Sequence, residues 1–514
     1  MNNLWEAFCI TVKRVSERAA IIASDQTHSF AQLAIRASDY RHAYHKAGVQ
    51  RSDRVLLWME NSYDMAAAVI ACWGQDAIPV LIDASCRRPQ LAHALELIEP
   101  RVVVHTVELP GPVDDPAVTV MQTAEVPSYP EGKTLPTSPR ALPTDPASIV
   151  VTSGSTGLPK GGVQSHGNIY HGCITVHRYL GLRDDDVLLC PVPWSFDYGY
   201  GQLLTTLLCG ITHLIPPANT PFGICAAIEE QHPSVFAGTP ALFSYLMSGM
   251  SPIRSTNVSS LRLLTNTGGK LAASVLSNML EAFDGADVVL NYGLTETYRS
   301  CYLPPHLVRE HPHSLGIAIP GVGIEILRED GSRASAHEEG EIVHRGNFVC
   351  LGYWRNSEST AAVIRRDPLA PQGVISDSPA LFTGDIGYVD ERGFFYFVAR
   401  RDRLLKSMGV RVSPHEVEEI LIESGQVVAA AVFGRPHDLL GHEIHAAVVP
   451  RDPERFNQRD LDRFARSNMS QYLLPRFYLV LNELPHTTSG KTDFPALEKI
   501  ASDVRADQPT SRFP

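Results

Sequence analysis

The stretch VVTSGSTGLPKGG spans residues 150–162 and joins two apolar valines to a loop of small hydroxyl residues, glycines and one lysine. Glycines allow backbone N–H groups to turn toward an anion, hydroxyls donate further hydrogen bonds, and Lys160 adds a positive charge. The pattern predicts a strand followed by a cradle for a polyphosphate. The candidate phosphate ligands are Thr152, Ser153, Gly154, Ser155, Thr156, Gly157 and Lys160.

Three other interpretations of this loop agree less well with the residues. A flexible Ser/Gly linker would not follow an apolar strand and end in Pro-Lys-Gly-Gly. A Walker A loop needs G-x-x-x-x-G-K-[ST], which cannot be placed here, and at residues 490–492 Pro485 stands where the first glycine should be. A serine hydrolase needs G-x-S-x-G, and neither Ser155 nor Ser165 has glycines at that spacing.

On both sides of the loop, short apolar runs such as residues 78–82 alternate with stretches of helical spacing. This alternation predicts α/β layers with parallel sheets. After about residue 325 strands and turns alternate instead, which predicts an antiparallel sheet with a hairpin between Asp390 and Gly393. Helix and strand patterns resume beyond Arg401 over a length that is usual for a domain.

Composition narrows the class of protein. A chain of 514 residues is long enough for more than one hydrophobic core. Its net charge of -12, with acidic and basic residues interspersed, gives no electrostatic footprint for nucleic acid. Neither a signal peptide nor an apolar run of about 20 residues is found, which predicts a cytoplasmic protein without a membrane partner. The nine cysteines are scattered without C-x-x-C spacing, so we expect small buried hydrophobes and no thiol nucleophile.

Five further segments carry chemistry-bearing residues in a fixed order. They are NYGLTE at 291–296, TGD at 383–385, ARRDRLLK at 399–406, GVRVSPHEVE at 409–418 and SGK at 489–491. Each has an ordinary interpretation if it is met alone, since Glu296 could be a solvated acid, Asp385 a turn former and Lys491 a surface lysine. Their order along one chain is far more specific than any single segment.

Together with the loop, these segments resemble the adenylate-forming superfamily of acyl-CoA synthetases, luciferases and adenylation domains of nonribosomal peptide synthetases. The resemblance covers nearly the whole chain and departs at Ala399, where the family has glycine. It implies a large N-terminal domain, residues 1–401, of two αβ-layered sheets and a distorted antiparallel β-subdomain. It also implies a small, mobile α+β C-terminal domain, residues 402–514, with the hinge at Asp402.

The resemblance implies that the cofactors are ATP and Mg²⁺ and assigns their contacts. A carboxylate that attacks the α-phosphorus of ATP must overcome repulsion between anions, so a cation and a metal are needed where charge builds up. Glu296 would hold the magnesium, Thr295 would contact the α-phosphate, and Lys491 would bridge the substrate carboxylate and the ribose. The remaining nucleotide contacts would be Asp385 and Arg400 at the ribose, Tyr292 at the adenine, and Gly268 and Asn291.

In this family one site serves two half-reactions, because the C-terminal domain rotates on the hinge. Lys491 would enter the site in the first pose and leave it in the second. Lys406 and Gly409 would then line the tunnel for a pantetheine thiol, where a glycine avoids narrowing the passage. The chain continues for only about twenty residues after Lys491, so we expect the acceptor thiol on a separate molecule.

The segment PWSFDYGYG at 193–201 bears on the substrate. Amino-acid-activating members of the family have F-D here, and a buried carboxylate in an apolar pocket needs a cationic partner. The predicted substrate-binding residues are Phe196, Asp197, Tyr198, Gly201 and Arg299. The alternative is that Asp197 pairs with a group of the protein itself, for which Arg299 is a candidate.

The segments at 196–199 and 292–300 look similar to free-standing ligases that load L-proline onto a peptidyl carrier protein, and to related ligases of uncertain substrate. The leading prediction is therefore an amino-acid ligase feeding a phosphopantetheinylated carrier in secondary-metabolite biosynthesis. The alternative is an AMP-forming coenzyme A ligase for a small carboxylic acid. A nucleotide-binding protein without turnover is disfavoured because Lys491 and Glu296 are both present.

Overall fold

A computed structural model describes most of the chain. The described residues are 3–23, 26–129, 139–152, 160–248, 251–269, 271–371, 373, 378–408, 410–437, 440–487 and 492–506, without the side chains at 152, 411, 505 and 506. Three parts of the predicted site, namely residues 153–157, Gly409 and Lys491, lie outside them. The chain divides into two compact units, residues 1–325 with 343–383 and residues 326–342 with 384–514. The predicted domain boundary at 402 falls within the second unit and stays a prediction.

The first unit contains most of the regular structure. Its helices are α1 Leu4–Val15, α2 Phe30–Lys46, α3 Tyr63–Gly74, α4 Arg88–Ile98, α5 His166–Tyr179, α6 Asp197–Cys209, α7 Pro221–Gln231, α8 Pro240–Leu246, α9 Ala273–Ala282 and α10 Ser357–Val363. The strands up to the antiparallel region are β1 Ala19–Ala23, β2 Gln26–Ser29, β3 Arg54–Trp58, β4 Ile78–Ile82, β5 Val102–His105, β6 Thr119–Gln122, β7 Pro146–Thr152, β8 Lys160–Ser165, β9 Val187–Leu189, β10 Thr212–Ile215, β11 Val235–Gly238, β12 Leu263–Asn266 and β13 Asp287–Tyr292.

The remaining strands of the first unit and the elements of the second unit complete the chain. The next strands are β14 Cys301–Leu303, β15 Ser314–Ala318, β16 Val322–Leu327, β17 Gly340–Gly346, β18 Gly352–Tyr353, β19 Ile364–Arg366 and β20 Pro379–Val389. The C-terminal elements are β21 Phe395–Arg400, β22 Leu405–Ser407, β23 Val410–Val412, α11 Pro414–Glu423, β24 Val427–His437, β25 Gly441–Pro450, α12 Gln458–Asn468, β26 Phe477–Val480 and α13 Phe494–Ala506.

Two mainly parallel sheets organise the first unit. One has the order β18-β8-β7-β4-β3-β5-β6, with β3 to β7 parallel and β8 antiparallel to β7. In the other, the strands of this unit run β15-β14-β13-β12-β11-β9-β10-β1-β2, parallel from β13 to β1. Parallel strands covered on both faces become continuously apolar, as in β4, where Ile78–Ile82 are all buried. The predicted α/β class is confirmed.

The second unit is smaller and mixed. Its sheet has the order β23-β22-β25-β24, and β26 pairs parallel to β25. The predicted hairpin is confirmed, since β20 and β21 pair antiparallel and the Gly393 N–H donates to the Asp390 carbonyl across 3.1 Å. Two apolar clusters, one around Val417, Leu421 and Val448 and one around Leu497, form its core. The combination is the α+β type predicted for the C-terminal part.

Among the described residues, no helix is both long and apolar enough to cross a membrane. Most of the cysteines are buried, as the sequence predicts. Seven of the nine are buried, and burial raises the pKa of the Cys190 and Cys350 thiols to about 12. A protonated, buried thiol is a poor nucleophile, so the surroundings of these two residues do not support a catalytic role.

Two buried histidines make the fold sensitive to acid. His166 Nδ1 accepts a hydrogen bond from the Leu4 N–H, and His213 Nε2 accepts one from the Trp194 indole. Burial lowers the pKa of each to about 4. The unfolded chain, with a histidine pKa of about 6.5, then binds more protons than the folded chain below that pH. Stability is therefore fully present above about pH 6.5 and is lost as the pH falls toward 4.

We expect the thermal unfolding midpoint to fall by about 5 °C or more between pH 7 and pH 5, as followed by circular dichroism. The combined variant His166→Gln with His213→Gln should flatten this pH dependence, although it starts from a lower stability. The control His306→Gln removes an exposed histidine and should keep the native slope. An unchanged slope in the double variant would contradict the assignment.

Candidate active site

The phosphate loop connects two antiparallel strands of the first unit. Thr152 ends β7 and pairs with Lys160, which begins β8. The loop between them lies outside the described residues, so its contacts stay predictions. On the other side of β8, Gly162 pairs with Tyr353 of β18. The Lys160 ammonium consequently lies 5.2 Å from the centre of the Tyr353 ring, within reach of a cation–π interaction.

The segment after β13 forms a tight loop that returns to the sheet. The Ser300 N–H donates to the Tyr292 carbonyl across 2.9 Å, which closes the loop. A Cβ at Gly293 would lie 2.9 Å from Cα of Arg299, a distance that side chains do not adopt. Tyr298 has a positive φ of 60°, an uncommon conformation for a bulky residue. The glycine of this motif is thus required by the close approach of the two ends of the loop.

Three residues distant in sequence hold Thr295 and Glu296 in place. Gln164 Nε2 donates to the Thr295 carbonyl across 2.7 Å, and the Cys350 N–H donates to the Glu296 carbonyl across 2.7 Å. The Tyr353 hydroxyl donates to Glu296 Oε1 across 2.5 Å. Sequence reasoning missed Gln164, Cys350 and Tyr353, because no local pattern indicates contacts that span more than fifty residues.

The half-buried Glu296 carboxylate fits the predicted metal role. Oε1 is bonded to Tyr353, and Oε2 can still act as an oxygen ligand. Mg²⁺ is commonly bound through one or two protein carboxylates, with substrate phosphates and waters completing its shell. Glu296 would hold the ion beside Thr295, and the ion would neutralise charge on the phosphates.

Gly268 and Asn291 lie at the carboxyl ends of two neighbouring parallel strands. β12 and β13 pair parallel with Asn266 opposite Leu290, so the segments after them lie side by side. Ligands of open α/β sheets bind at such strand ends. Gly268 has φ +93°, and a Cβ there would meet no atom of the described residues within 4 Å. The Asn291 amide donates to Thr265 Oγ1 and to the Asn266 carbonyl. Its side chain therefore links the carboxyl ends of β12 and β13.

The predicted acyl pocket is built at the start of α6. Phe196 and Asp197 are half-buried, while Tyr198 and Gly201 are buried. The Tyr198 hydroxyl donates to the Thr265 carbonyl across 2.8 Å, which ties α6 to β12. A small cavity of the first unit is lined by Val150, Gln164, Ile169, Asp197, Tyr200, Leu204, Thr295 and Tyr298. The structure therefore places Asp197 and Thr295 on the walls of one cavity.

Arg299 lies among aromatic rings and has only 3% of its surface exposed. Its guanidinium carbon is 4.8 Å from the centre of the Tyr198 ring and 5.6 Å from that of Tyr298. Burial raises the pKa of both phenols despite this nearby cation, so the rings are neutral. Within the described part of the chain, Arg299 and Asp197 form no ion pair with each other or with another side chain. The alternative that Asp197 pairs with Arg299 is wrong.

The second unit contains the predicted ribose contacts and hinge. Asp385 is 4% exposed and lies opposite Arg400 across β20 and β21. Arg400 Nε is 3.2 Å from Asp385 Oδ1 and 3.5 Å from Asp402 Oδ1, so one guanidinium links the carboxylate of the T-G-D segment to the predicted hinge residue. Lys406 is exposed in β22, and its N–H donates to His442 Nδ1 across 3.2 Å.

A buried carboxylate near this hinge was missed by sequence reasoning. Glu341 accepts a hydrogen bond from the Gly384 N–H across 3.0 Å and forms an ion pair with Arg401, also at 3.0 Å. It lies in a different strand, β17, and its own sequence context is that of an ordinary exposed acid. The pair orients the residue that precedes the predicted hinge.

Comparison with known proteins identifies the family of this chain. Residues 8–354 match the family described as AMP-binding enzyme, and residues 416–491 match the AMP-binding enzyme C-terminal domain. The first match alone covers more than half of the chain. This protein therefore belongs to the AMP-binding enzyme family, which confirms the superfamily predicted from the motifs.

Relatives of known activity match over nearly the full length. A feruloyl-CoA synthase from Amycolatopsis sp is 29% identical over 93% of this chain and 95% of its own. A 2-succinylbenzoate–CoA ligase from Bacillus mycoides (strain KBAB4) is 28% identical over 95% of this chain and 97% of its own. The solved anthranilate CoA ligase in complex with anthranoyl-AMP superposes with a TM-score of 0.86 at 23% identity, covering 98% of both chains.

These comparisons test the predicted fold class, enzyme class and cofactors. The fold class and the enzyme class, an AMP-forming acid–thiol ligase, are confirmed. The predicted cofactors agree with a solved relative, the O-succinylbenzoate coenzyme A synthetase from Bacillus subtilis in complex with ATP and magnesium ion, which has a TM-score of 0.84 at 24% identity. That structure covers 96% of this chain and 98% of its own.

Proposed function

We propose that this enzyme activates a small carboxylic acid with ATP and Mg²⁺ and transfers the acyl group to coenzyme A. The observation that carries this proposal is the cavity whose walls include both the half-buried Asp197 and Thr295, the residue before Glu296. The full-length relatives that are coenzyme A ligases support coenzyme A as the acceptor. The alternative prediction from the sequence thus becomes the leading one.

The residues suit adenylate formation followed by thioester formation. In the first step an oxygen of the acid attacks the α-phosphorus, the bond to the β-phosphate bridging oxygen breaks, and pyrophosphate leaves. Thr295 would donate to the α-phosphate, while Lys160 and Lys491 would oppose the growing negative charge. In the second step the thiol sulfur attacks the acyl carbon after losing its proton, and AMP leaves with the bonding electron pair.

A second candidate function is amino-acid activation for a carrier protein. The observation that favours it is Asp197, a half-buried carboxylate that forms no ion pair in the described part of the chain. An ammonium on the substrate would supply the missing cation. L-proline as substrate, a peptidyl carrier protein as acceptor and a role in secondary-metabolite biosynthesis remain finer proposals, as does a cytoplasmic location.

The acceptor is tested by measuring AMP release with one activated acid and two thiols. We expect coenzyme A to support release at least ten times faster than a phosphopantetheinylated carrier protein at equal concentration. Thioester product should be verified by mass spectrometry in each case. Faster transfer to the carrier would favour the second candidate, and no acid-dependent exchange of labelled pyrophosphate into ATP would contradict both.

Asp402 is proposed as the hinge between residues 1–401 and 402–514, with Gly409 lining the thiol tunnel in the second pose. We expect Gly409→Leu to lower thioester formation about a hundredfold while pyrophosphate exchange stays within about twofold of native, because a side chain obstructs the thiol and not the ATP. Rapid-quench measurement of each half-reaction checks this. The rate of thioester formation in Gly409→Ala, which has a smaller side chain, should lie between those of the native enzyme and Gly409→Leu. Normal transfer in the leucine variant would contradict the tunnel assignment.

A further inference from the structure

Arg299 is a buried cation to which no described residue supplies a counter-charge. Its guanidinium packs against Tyr198 and Tyr298, and among the described residues the acceptor of its hydrogen bond is the Tyr298 carbonyl. Removing a charge from water is costly unless an opposite charge accompanies it, so an unpaired buried arginine indicates an anionic ligand. The guanidinium has five N–H donors in a planar fork that matches a carboxylate.

Asp197 presents the opposite charge on the same side of α6. Residues 197 and 201 are four apart and therefore share one face of the helix. Gly201 has no side chain, and a Cβ there would be 3.7 Å from Arg299 Nη2. One helical turn is about 5.4 Å, so Gly201, which lies beside the Arg299 guanidinium, is about one turn along α6 from Asp197. A small molecule that lies along this turn would bring one charged group near each residue.

We infer that the acid activated by this enzyme carries a second carboxylate that binds Arg299 and an ammonium that faces Asp197. The substrate class is a short amino dicarboxylic acid with a chain of four or five carbons. This inference rests on the proposed acid-activating function and specifies its substrate. L-proline would leave Arg299 without a counter-charge, so it should be a poor substrate.

Matched substrates test the inference on the native enzyme. Pyrophosphate exchange is measured with aspartate and asparagine, with glutamate and glutamine, with succinate and glutarate, and with proline and benzoate. We expect kcat/KM for the better amino diacid to exceed that of its amide about a hundredfold or more, because only the acid pairs with Arg299. The kcat/KM of the corresponding diacid without the amino group should be about tenfold lower than that of the amino diacid.

Two variants test the roles of the Arg299 and Asp197 charges separately. In Arg299→Gln the acid-to-amide preference should collapse at least tenfold, and Arg299→Lys should restore part of it. In Asp197→Asn the preference for the amino group should be lost while the acid-to-amide preference is retained. Titration of ATP binding, read as an upward shift in the unfolding midpoint, verifies that each variant is folded with its nucleotide site intact.

The outcomes separate the inference from the proposed function. Exchange with proline or benzoate at rates above every diacid, unchanged in Arg299→Gln, would overturn the inference and leave the acid-activating function standing. Exchange with diacids of either kind but no dependence on Asp197 would restrict the substrate class to plain dicarboxylic acids and overturn its amino part. Exchange with no acid at all would overturn the function itself.

Discussion

Lys491→Ala is expected to lower adenylate formation by about a thousandfold or more, yet to leave transfer from a supplied acyl-adenylate within a few fold of native. In the proposed mechanism this lysine approaches the reacting carboxylate and α-phosphate only in the first pose. Losing one preorganised charge aimed at the transition state costs about a hundred- to a thousandfold in rate, and here the lysine opposes repulsion between two anions. Pyrophosphate exchange measures the first step, and AMP release from synthetic adenylate measures the second.

A matched control exists in the same domain. Lys499 is exposed in α13, so Lys499→Ala removes one positive charge from the same region and should leave both steps unchanged. Lys491→Arg keeps the charge with a different shape and should recover only part of the activity. If Lys491→Ala impaired both half-reactions equally, the assignment of two poses to one site would be contradicted.

Glu296→Gln is expected to lower pyrophosphate exchange at least a hundredfold and to raise the Mg²⁺ concentration needed for half-maximal rate. The amide keeps the size of the side chain but removes the anionic oxygen that a hard cation prefers. The anchoring of the loop through Gln164 and Cys350 uses backbone carbonyls, so it should survive the substitution. A Mg²⁺ titration at saturating ATP gives both quantities.

A Tyr353 variant distinguishes two possible roles of Glu296, namely binding the metal and orienting the loop through its hydrogen bond. Tyr353→Phe removes the hydroxyl that bonds to Glu296 Oε1 but retains the carboxylate. We expect a loss of about tenfold. A hydrogen bond to a charged group contributes about 1.5–3 kcal/mol, or about ten- to a hundredfold, and the charged carboxylate itself is retained. An equal loss in Tyr353→Phe and Glu296→Gln, without a change in Mg²⁺ dependence, would argue against a metal ligand at Glu296.

Local chemistry of this enzyme could be predicted from short segments of sequence. Tight turns require glycine, and binding phosphates and a metal ion requires particular polar or charged side chains. The loop at 150–162 and the segment at 291–296 are therefore recognisable without a structure. Gly293 illustrates the reason, because the contact that excludes a side chain is made with Arg299, only six residues later. The hairpin turn between Asp390 and Gly393 is also local, but a bulge between Ile386 and Gly387 shifts the register, so the turn alone does not give the pairing of Asp385 with Arg400.

Partners from distant strands could not be predicted in this way. Tyr353 reaches Glu296 because β18 adds to β8 at the edge of a sheet, and Glu341 reaches Arg401 from another strand. Neither residue is unusual in its own segment. Which strand lies beside which depends on the packing of the whole core, and that information is spread over hundreds of residues.

The sequence alone determined the family and the class of reaction, because these depend on motifs read along the chain. Whether Asp197 and Arg299 neutralise each other was decided only by the tertiary structure, in which the two residues form no ion pair and Arg299 packs against Tyr198 and Tyr298. Ion pairing depends on distances of a few ångströms between side chains about a hundred residues apart, and Coulomb energy falls with distance and with solvent access. Residue identity leaves both of those quantities open.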